Sequence, residues 1–502
     1  MSEEKLDLET TASNQAPEEA RPTEGGASDT SKKPDSEEKL SLWETLKVLF
    51  VASRAFWIVN MVSFGDGIAY FGILTLLTRY LGTDLGMGVS MAGVAVSCFT
   101  GLVTLSMLGG GWVADKLGVR RTLILSLAVI LLGRAALAAC PNIGLGAITT
   151  ITAWIALVVM ALGYGVFEPA VYSGVKEYTD PRTATIGYGL LYAVMNLGIV
   201  AENFISPYVR TGDTFFTIGS YSIKGLNQGI QGVYWCCAII TLIMLLGVLI
   251  FFTKAVDERD RYHDAELEAQ KEAAKKEAER KAQEEAGLSF WGRIVKQLGP
   301  LTDIRFLFFI FILLPVRTLF AHQFLTIPDY IFRCYPPEVA GKFEWLNGLN
   351  PLVICIGVPL FAALTRKVKV VDMMIIGTFV SAATTFLLAP GPNLTNLIIY
   401  LVLFSVGEAL WSSRFLEYVA DLAPVGKVGA YMGLAELPWF LAKFTTGLYS
   451  GTVLNYFVPE QGPQASGQMW FIYGIVAMIS PVALIIARKW LLSGEQHAKA
   501  EG

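Results

Sequence analysis

The sequence predicts an all-α integral membrane protein, with twelve transmembrane helices in two six-helix bundles and both termini in the cytoplasm. Three observations carry that prediction. The 502 residues are 53% hydrophobic and only 16% charged, where soluble chains average about 25% charged, and the mean hydropathy is +0.50. Apolar segments of roughly 20 residues, the length that crosses about 30 Å of hydrocarbon, recur along the chain. Basic residues gather in alternate loops.

Residues 1–41 are acidic and rich in Ser, Thr, Pro and Glu, and read as a solvated tail rather than a cleavable signal. Leu42, Trp43, Leu46, Leu49 and Phe50 then recur at helical spacing, as a short interfacial helix or an extension of the first span. Spans are expected near 54–81, 88–114, 121–139, 148–172, 184–207, 230–253, 303–327, 346–366, 371–390, 396–420, 426–452 and 468–490. An open sheet cannot sit in lipid with unpaired edges, so these are helices.

Between the sixth and seventh spans lies a linker with charge on every face, where Glu272–Lys276 and Glu277–Lys281 have the favoured i,i+4 polarity. Lacking an apolar stripe, it reads as a solvated spacer. The expected layout is a tail (1–41), a first bundle (42–254), the linker (255–300), a second bundle (301–491) and a tail (492–502). Six spans on each side suggest two halves that rock about a central site. With the N-terminus inside, the inner loops hold Lys116, Arg120, Arg121, Lys176, Arg182, Arg366, Lys367, Lys369 and Lys427, and Arg488 and Lys489 follow the last span. The outer loops hold Arg210, Lys224, Arg333 and Lys342, so the positive-inside rule places both termini in the cytoplasm.

Several function classes fall away. The net charge of −4 comes from the tails and linker and implies no nucleic-acid partner. The six cysteines are scattered without a C-x-x-C, and there are three histidines, so neither a zinc site nor a redox pair is suggested. The sequence has no G-x-x-x-x-G-K-[ST] loop. With no nucleophile–base constellation either, the chain is read as a non-enzyme without a cofactor or metal.

Ionisable residues inside spans cost from about 2.5 kcal/mol upward and usually face a cavity or a partner. Asp66, Arg134, Glu168, Glu202, Arg317, Glu408, Arg414, Glu417, Glu436 and Lys443 all fall within the expected spans, which argues for a polar central cavity. Asp66, among Gly65, Gly67 and Gly72, and Glu168, before Pro169, are candidate proton sites. The alternatives are an Asp66 ion pair with a nearby arginine, and a bridge from Glu168 to Arg134 or Arg317. His322 is a candidate proton relay or a satisfied buried histidine.

Arg317 suits a substrate carboxylate or an acid partner, and Arg414 and Glu417 suit a gating or structural pair near the cytoplasmic end. Tyr70, Tyr164, Tyr192, Asn196, Gln323, Asn347, Asn350 and Trp411 are candidate contacts to a small polar molecule with aromatic portions, each alternatively inter-helix packing. Glu202 and Lys443 stay ambiguous, and Arg134 leans structural.

The loop GGWVADKLGVRRT, with Asp115 ahead of Lys116, Gly118, Arg120 and Arg121, resembles the inter-helix loop of the major facilitator superfamily. There it latches neighbouring helices, which implies the major facilitator fold and a gating or structural role for Asp115, Arg120 and Arg121. Four further stretches resemble the proton-dependent oligopeptide transporter family: GYGVFEPAVYSG from Gly163, LLYAVMNLGIV from Leu190, LNPLVICIGVPLF from Leu349 and FSVGEALWSS from Phe404.

The resemblance implies proton-coupled symport of a small polar or zwitterionic solute, such as a di- or tripeptide, by alternating access. Glu408 takes the place of the family's substrate-binding glutamate, and protons are the coupling ion. The departures are specific. SFGDG replaces the first-helix Glu-x-x-Glu-Arg, leaving Asp66 and putting Gly67 at the arginine; Glu168 stands for the fourth-helix lysine; His322 stands where an acid is often found. A monomer in a plasma or bacterial inner membrane is expected. The alternatives are a proton-coupled drug or metabolite antiporter and a non-transporting nutrient receptor.

Overall fold

The computed structural model describes residues 52–144, 146–179, 184–218, 221–261, 299–365, 368–422, 431, 434–435 and 437–501. The N-terminal tail, the stretch from Leu42 to Phe50, residues 262–298 of the linker, and Glu436 lie outside the described residues.

A backbone that must satisfy its own polar groups in lipid folds as helices. In the first bundle these are α1 (Arg54–Arg79), α2 (Val89–Leu117), α3 (Val119–Ala139), α4 (Ala147–Tyr178), α5 (Ala184–Arg210) and α6 (Gly229–Phe251). Ser53 caps α1, its Oγ accepting the Phe56 N–H at 3.2 Å. An antiparallel hairpin, β1 (Thr214–Ile218) and β2 (Tyr221–Lys224), stands in the α5–α6 connection, where only a loop was expected.

In the second bundle, α7 (Ile304–Leu325) is interrupted at Leu313, two residues before Pro315, which cannot donate to the helical ladder. Asp303 caps it, accepting from the Arg305 and Phe306 amides at 2.9 and 3.2 Å. Then come α8 (Leu349–Leu364), α9 (Val370–Thr384), α10 (Leu394–Leu422), α11 (Leu437–Phe457) and α12 (Ser466–Glu501).

Among the described residues, ten helices are long and apolar enough to cross a membrane. α8 and α11 lie where the eighth and eleventh spans were expected but are not among those ten. α8 has only 16 residues, and α11 carries Lys443 with a run of threonines, serines and glycines that lowers its hydropathy.

Two glycines are set by backbone requirements. Gly118 alone separates α2 from α3, with φ at +75°, a conformation costly for any other residue. The motif thereby turns the chain in one residue, and Arg120, in the first turn of α3, donates its Nε–H to the Phe252 carbonyl at the end of α6. Gly67 lies where α1 crosses α5. A Cβ there would collide with the Met195 carbonyl and sit 3.3 Å from the Gly198 Cα.

The start of the linker is docked, which corrects the expectation of a solvated spacer from its first residue. Lys254–Asp260 is a short helix. Asp260 Oδ2 accepts the Ala55 N–H at 2.9 Å, and Asp257 Oδ1 accepts the Tyr178 hydroxyl at 2.7 Å. Arg261 reaches Asp257 at 3.1 Å and Glu177 at 3.3 Å.

The halves meet where α2 packs along α11, α5 along α8 and α1 against α7. The end of the molecule remote from the start of α1, here the distal end, is bound by charge. Arg79 on α1 lies 3.9 Å from Asp329 and over the Phe332 ring. Arg210 at the end of α5 grips Glu344 with two hydrogen bonds, Nε at 2.6 Å and Nη2 at 2.7 Å.

Candidate functional site

A cavity of about 170 Å³ lies between the bundles. The first bundle contributes Tyr70 and Phe71 from α1 and Tyr192 and Asn196 from α5. The second contributes Phe320, Gln323 and Phe324 from α7, Asn347 and Asn350 around the start of α8, Glu408 from α10, and Trp439 and Lys443 from α11. Helical spacing explains the sets: Tyr192–Asn196 and Trp439–Lys443 are i,i+4 pairs that share a face, as Phe320 and Gln323 do at i,i+3.

The wall is mostly apolar and aromatic, with an acid and a base set into it. Glu408 Oε2 accepts from Asn350 Nδ2 at 2.7 Å, and the same amide donates to Ser405 Oγ at 3.0 Å. Asn350 thus holds the Glu408 carboxylate in place through Oε2. Gln323 Nε2 donates to the Tyr400 hydroxyl at 3.2 Å, and its Oε1 has no donor among the described residues. The Lys443 ammonium lies 5.3 Å from the Trp439 ring centre, a cation–π distance. Its charge also acts across the interface on Glu168 of α4, and the charge of Asp66 acts on the same acid from within the first bundle.

Behind the cavity lies a buried network. Arg134 on α3 is fully buried and pairs with Asp66 on α1 at 2.9 Å. The Tyr164 hydroxyl of α4 donates to the same Asp66 oxygen at 2.8 Å. Arg134 also donates to Thr241 on α6 and to the Tyr164 hydroxyl. Four helices are tied through one guanidinium, and Tyr164 meets the cavity-lining Tyr70 edge-on at 4.8 Å.

The structure brings Tyr70, Tyr192, Asn196, Gln323, Asn347 and Glu408 to the cavity wall. It does not bring Tyr164, Arg317 or Trp411 there, which corrects their assignment as substrate contacts. Tyr164 is spent on Asp66. Arg317 is fully buried with its guanidinium 4.2 Å from the Phe415 ring centre and 5.1 Å from that of Trp439. Trp411 packs edge-on behind Phe320, at 5.7 Å.

His322 is likewise away from the wall: its Nδ1 bonds Thr326 Oγ1 at 2.7 Å, its Nε2 faces the Tyr449 hydroxyl at 3.2 Å, and its ring stacks on Tyr473 at 4.0 Å. Arg414 Nη2 donates to Thr365 Oγ1 at 3.1 Å, tying α10 to the end of α8. Arg121 is exposed beside Lys116 and Arg261 in a surface depression. The side chains of Asp115 and Glu417 lie outside the described residues. Sequence reasoning left Lys443 ambiguous and leaned to a structural role for Arg134, because a lone charge in an apolar helix does not reveal which partner it has.

Among the described residues, no group of three or more His, Cys, Asp or Glu is arranged to hold a metal. The sequence profile of the Major Facilitator Superfamily matches residues 14–201 and again 59–442. The chain is 23% identical over 478 residues to the dipeptide and tripeptide permease A of Erwinia pyrifoliae, covering 87% of this chain and 94% of that protein. With the protein of the same name from Proteus mirabilis it shares 23% over 526 residues, 94% of this chain and 99% of the other.

Two similar crystal structures are those of the peptide transporter POT in complex with sulfate and of a POT family transporter in complex with 5-aminolevulinic acid. The first superposes with TM-score 0.61 at 18% identity, over 89% of this chain and 98% of that one. The second gives TM-score 0.61 at 15% identity, over 88% and 97%. These relatives are transporters, not enzymes, and the protein is a multi-pass membrane protein. With the profile covering most of its length and the superfamily's fold in its helices, the chain belongs to the Major Facilitator Superfamily.

Proposed function

We propose that this chain is a proton-coupled symporter of small zwitterionic solutes, di- and tripeptides foremost, and that it works by alternating access. The observation that carries the reading is the pair of opposite charges, Glu408 and Lys443, set in one apolar cavity between the bundles. A peptide has an ammonium at one end, a carboxylate at the other and variable side chains between. Glu408, held by Asn350, suits the ammonium; Lys443 suits the carboxylate; the aromatic wall suits the side chains. Tyr70, Tyr192, Asn196, Gln323 and Asn347 complete the lining.

Twelve spans, both termini in the cytoplasm, and halves at 42–254 and 301–491 complete the proposal, with the protein acting as a monomer. In that orientation the distal end faces outward, and the conformation described is the one closed on the outside through Arg79–Asp329 and Arg210–Glu344. Glu168 is the proposed proton carrier, since it stands across the interface from Lys443 and its neutral form would release that ammonium to a substrate. Asp66 serves the same proton path from behind, through Tyr164 and Tyr70, while His322 is given a structural role by its contacts.

The deciding experiment is uptake of a di- and tripeptide panel into proteoliposomes under an imposed pH gradient. Accumulation that collapses with the gradient supports symport. Accumulation indifferent to the gradient removes proton coupling, and no uptake of any peptide removes the substrate class.

A further inference from the structure

Glu202, on the fifth helix, belongs to neither the cavity nor the Asp66–Arg134 network. Its side chain is buried, with the residue 2% exposed, and the one donor near its carboxyl, the Ser206 hydroxyl, is turned to Glu344, so that neither oxygen has a well-formed hydrogen bond among the described residues. It is wedged where α5 meets α1 and α6. A Cβ built on Gly72 of α1 would lie 3.5 Å from Glu202 Oε1 and 2.9 Å from the Cys237 sulfur of α6.

The groups that could serve it are committed elsewhere. Ser206, one turn further along α5, donates its hydroxyl to Glu344 Oε1 at 3.2 Å. Arg210, one turn beyond, is engaged by both oxygens of Glu344, which sits in the short helix Phe343–Asn347 of the other half. The remaining titratable neighbours are the Cys237 thiol and the Tyr234 hydroxyl of α6, and the latter donates to the Ile73 carbonyl at 3.0 Å.

An ionised carboxylate in such a place would find its nearest donor and cation, Ser206 and Arg210, already held by Glu344, whose charge lies close by, so the neutral acid is the form this packing accommodates. We propose that Glu202 is a proton-binding site that controls the contact between the halves at the distal end. With the proton on, Arg210 and Ser206 are left to Glu344 and the end stays closed. With the proton released to entering water, Glu202 becomes a second carboxylate competing for Arg210 and Ser206, and the Arg210–Glu344 contact gives way. The ligand is the hydron itself, and the inference stands whatever solute the cavity takes.

The test reads conformation, not uptake. Spin labels are placed at Lys224 and Glu338, exposed positions in the two halves, on the full chain in lipid nanodiscs without peptide. In the otherwise unaltered protein, the long-distance population should grow as pH rises, by up to about tenfold in the open-to-closed ratio per pH unit for one linked proton. Glu202→Gln, which mimics the neutral acid, should hold the short distance across the same series.

A Glu202→Gln protein that opens with pH as its parent does would overturn the proposal, as would a parent that does not respond to pH. Should the variant not accumulate, difference infrared spectra of the parent decide instead. Loss of a protonated-carboxyl band in step with opening supports the site, and opening without that loss overturns it.

Discussion

Arg134 on α3 and Asp66 on α1 form an ion pair at 2.9 Å in which the arginine is wholly buried and the acid nearly so. Removing one partner of such a pair strands the other charge, at a cost of about 3–5 kcal/mol. Arg134→Gln is therefore expected to lower thermal stability in detergent sharply. The double variant Asp66→Asn with Arg134→Gln should be less destabilised than the sum of the single changes. Additive losses in that cycle would mean that the two charges are not coupled and that Thr241 and Tyr164 hold Arg134 by themselves.

The opposite poles of the cavity predict a chemical pattern in binding. A charged hydrogen bond contributes about 1.5–3 kcal/mol, so Glu408→Gln and Lys443→Gln should each weaken dipeptide binding by about 10- to 150-fold. N-acetylation of the peptide should erase the effect of Glu408→Gln, and C-terminal amidation that of Lys443→Gln. Isothermal titration with the three peptide forms separates the poles. Equal sensitivity of all forms to both variants would show that neither charge reads a terminus.

Much of the fold was legible because lipid leaves the backbone few options. Segment length and apolarity locate the helices, and α8 and α11 escaped those criteria only through a short helix and a polar face. The cavity was partly legible, since Glu408 and Asn350 lie in recognisable stretches and do meet. What stayed hidden was pairing. Arg134 reads as a lone charge until α3 is set against α1, and Arg317 reads as a ligand until its aromatic cage closes around it. Gly67 looked like a lost arginine. In the fold it is a backbone contact with α5 that leaves no room for a side chain, so the missing cation could not have been kept without moving the helices.

Asp260, outside the membrane at the start of the linker, gives a pH prediction. Burial pushes its carboxyl up, but the Arg259 guanidinium and the Ala55 and Arg54 amides outweigh that and hold it below the ordinary carboxylate range. A depressed folded-state value means that docking is stabilised above the unfolded value of about 3.9. That stabilisation is lost as pH falls through the lower folded-state value. Hydrogen exchange in the first turn of α1 should therefore stay slow down to about pH 4 and accelerate only below it. Asp260→Ala should give the faster exchange already at neutral pH, at a cost of about 1 kcal/mol for the lost helix-start acceptor. Unchanged exchange in the variant would remove Asp260 as the anchor of the linker.

The charge of Lys443, a base on α11, acts across the two halves on Glu168, an acid on α4. In the proposed cycle, Glu168 while ionised competes with a substrate carboxylate for Lys443, and once protonated it no longer does. Proton binding and substrate binding then favour each other, which is the requirement for symport. Glu168→Gln fixes the released state, so Lys443 should bind substrate at any pH while no proton is carried. Counterflow exchange of labelled peptide should survive at close to the parent rate, whereas accumulation driven by a pH gradient should fall to equilibration. Glu168→Lys places a second cation opposite Lys443 and should suppress both activities. Since neither variant touches the Asp66–Arg134 pair, thermal stability is measured alongside as the control. A stable Glu168→Gln protein that still concentrates peptide against its gradient would assign the proton to another group.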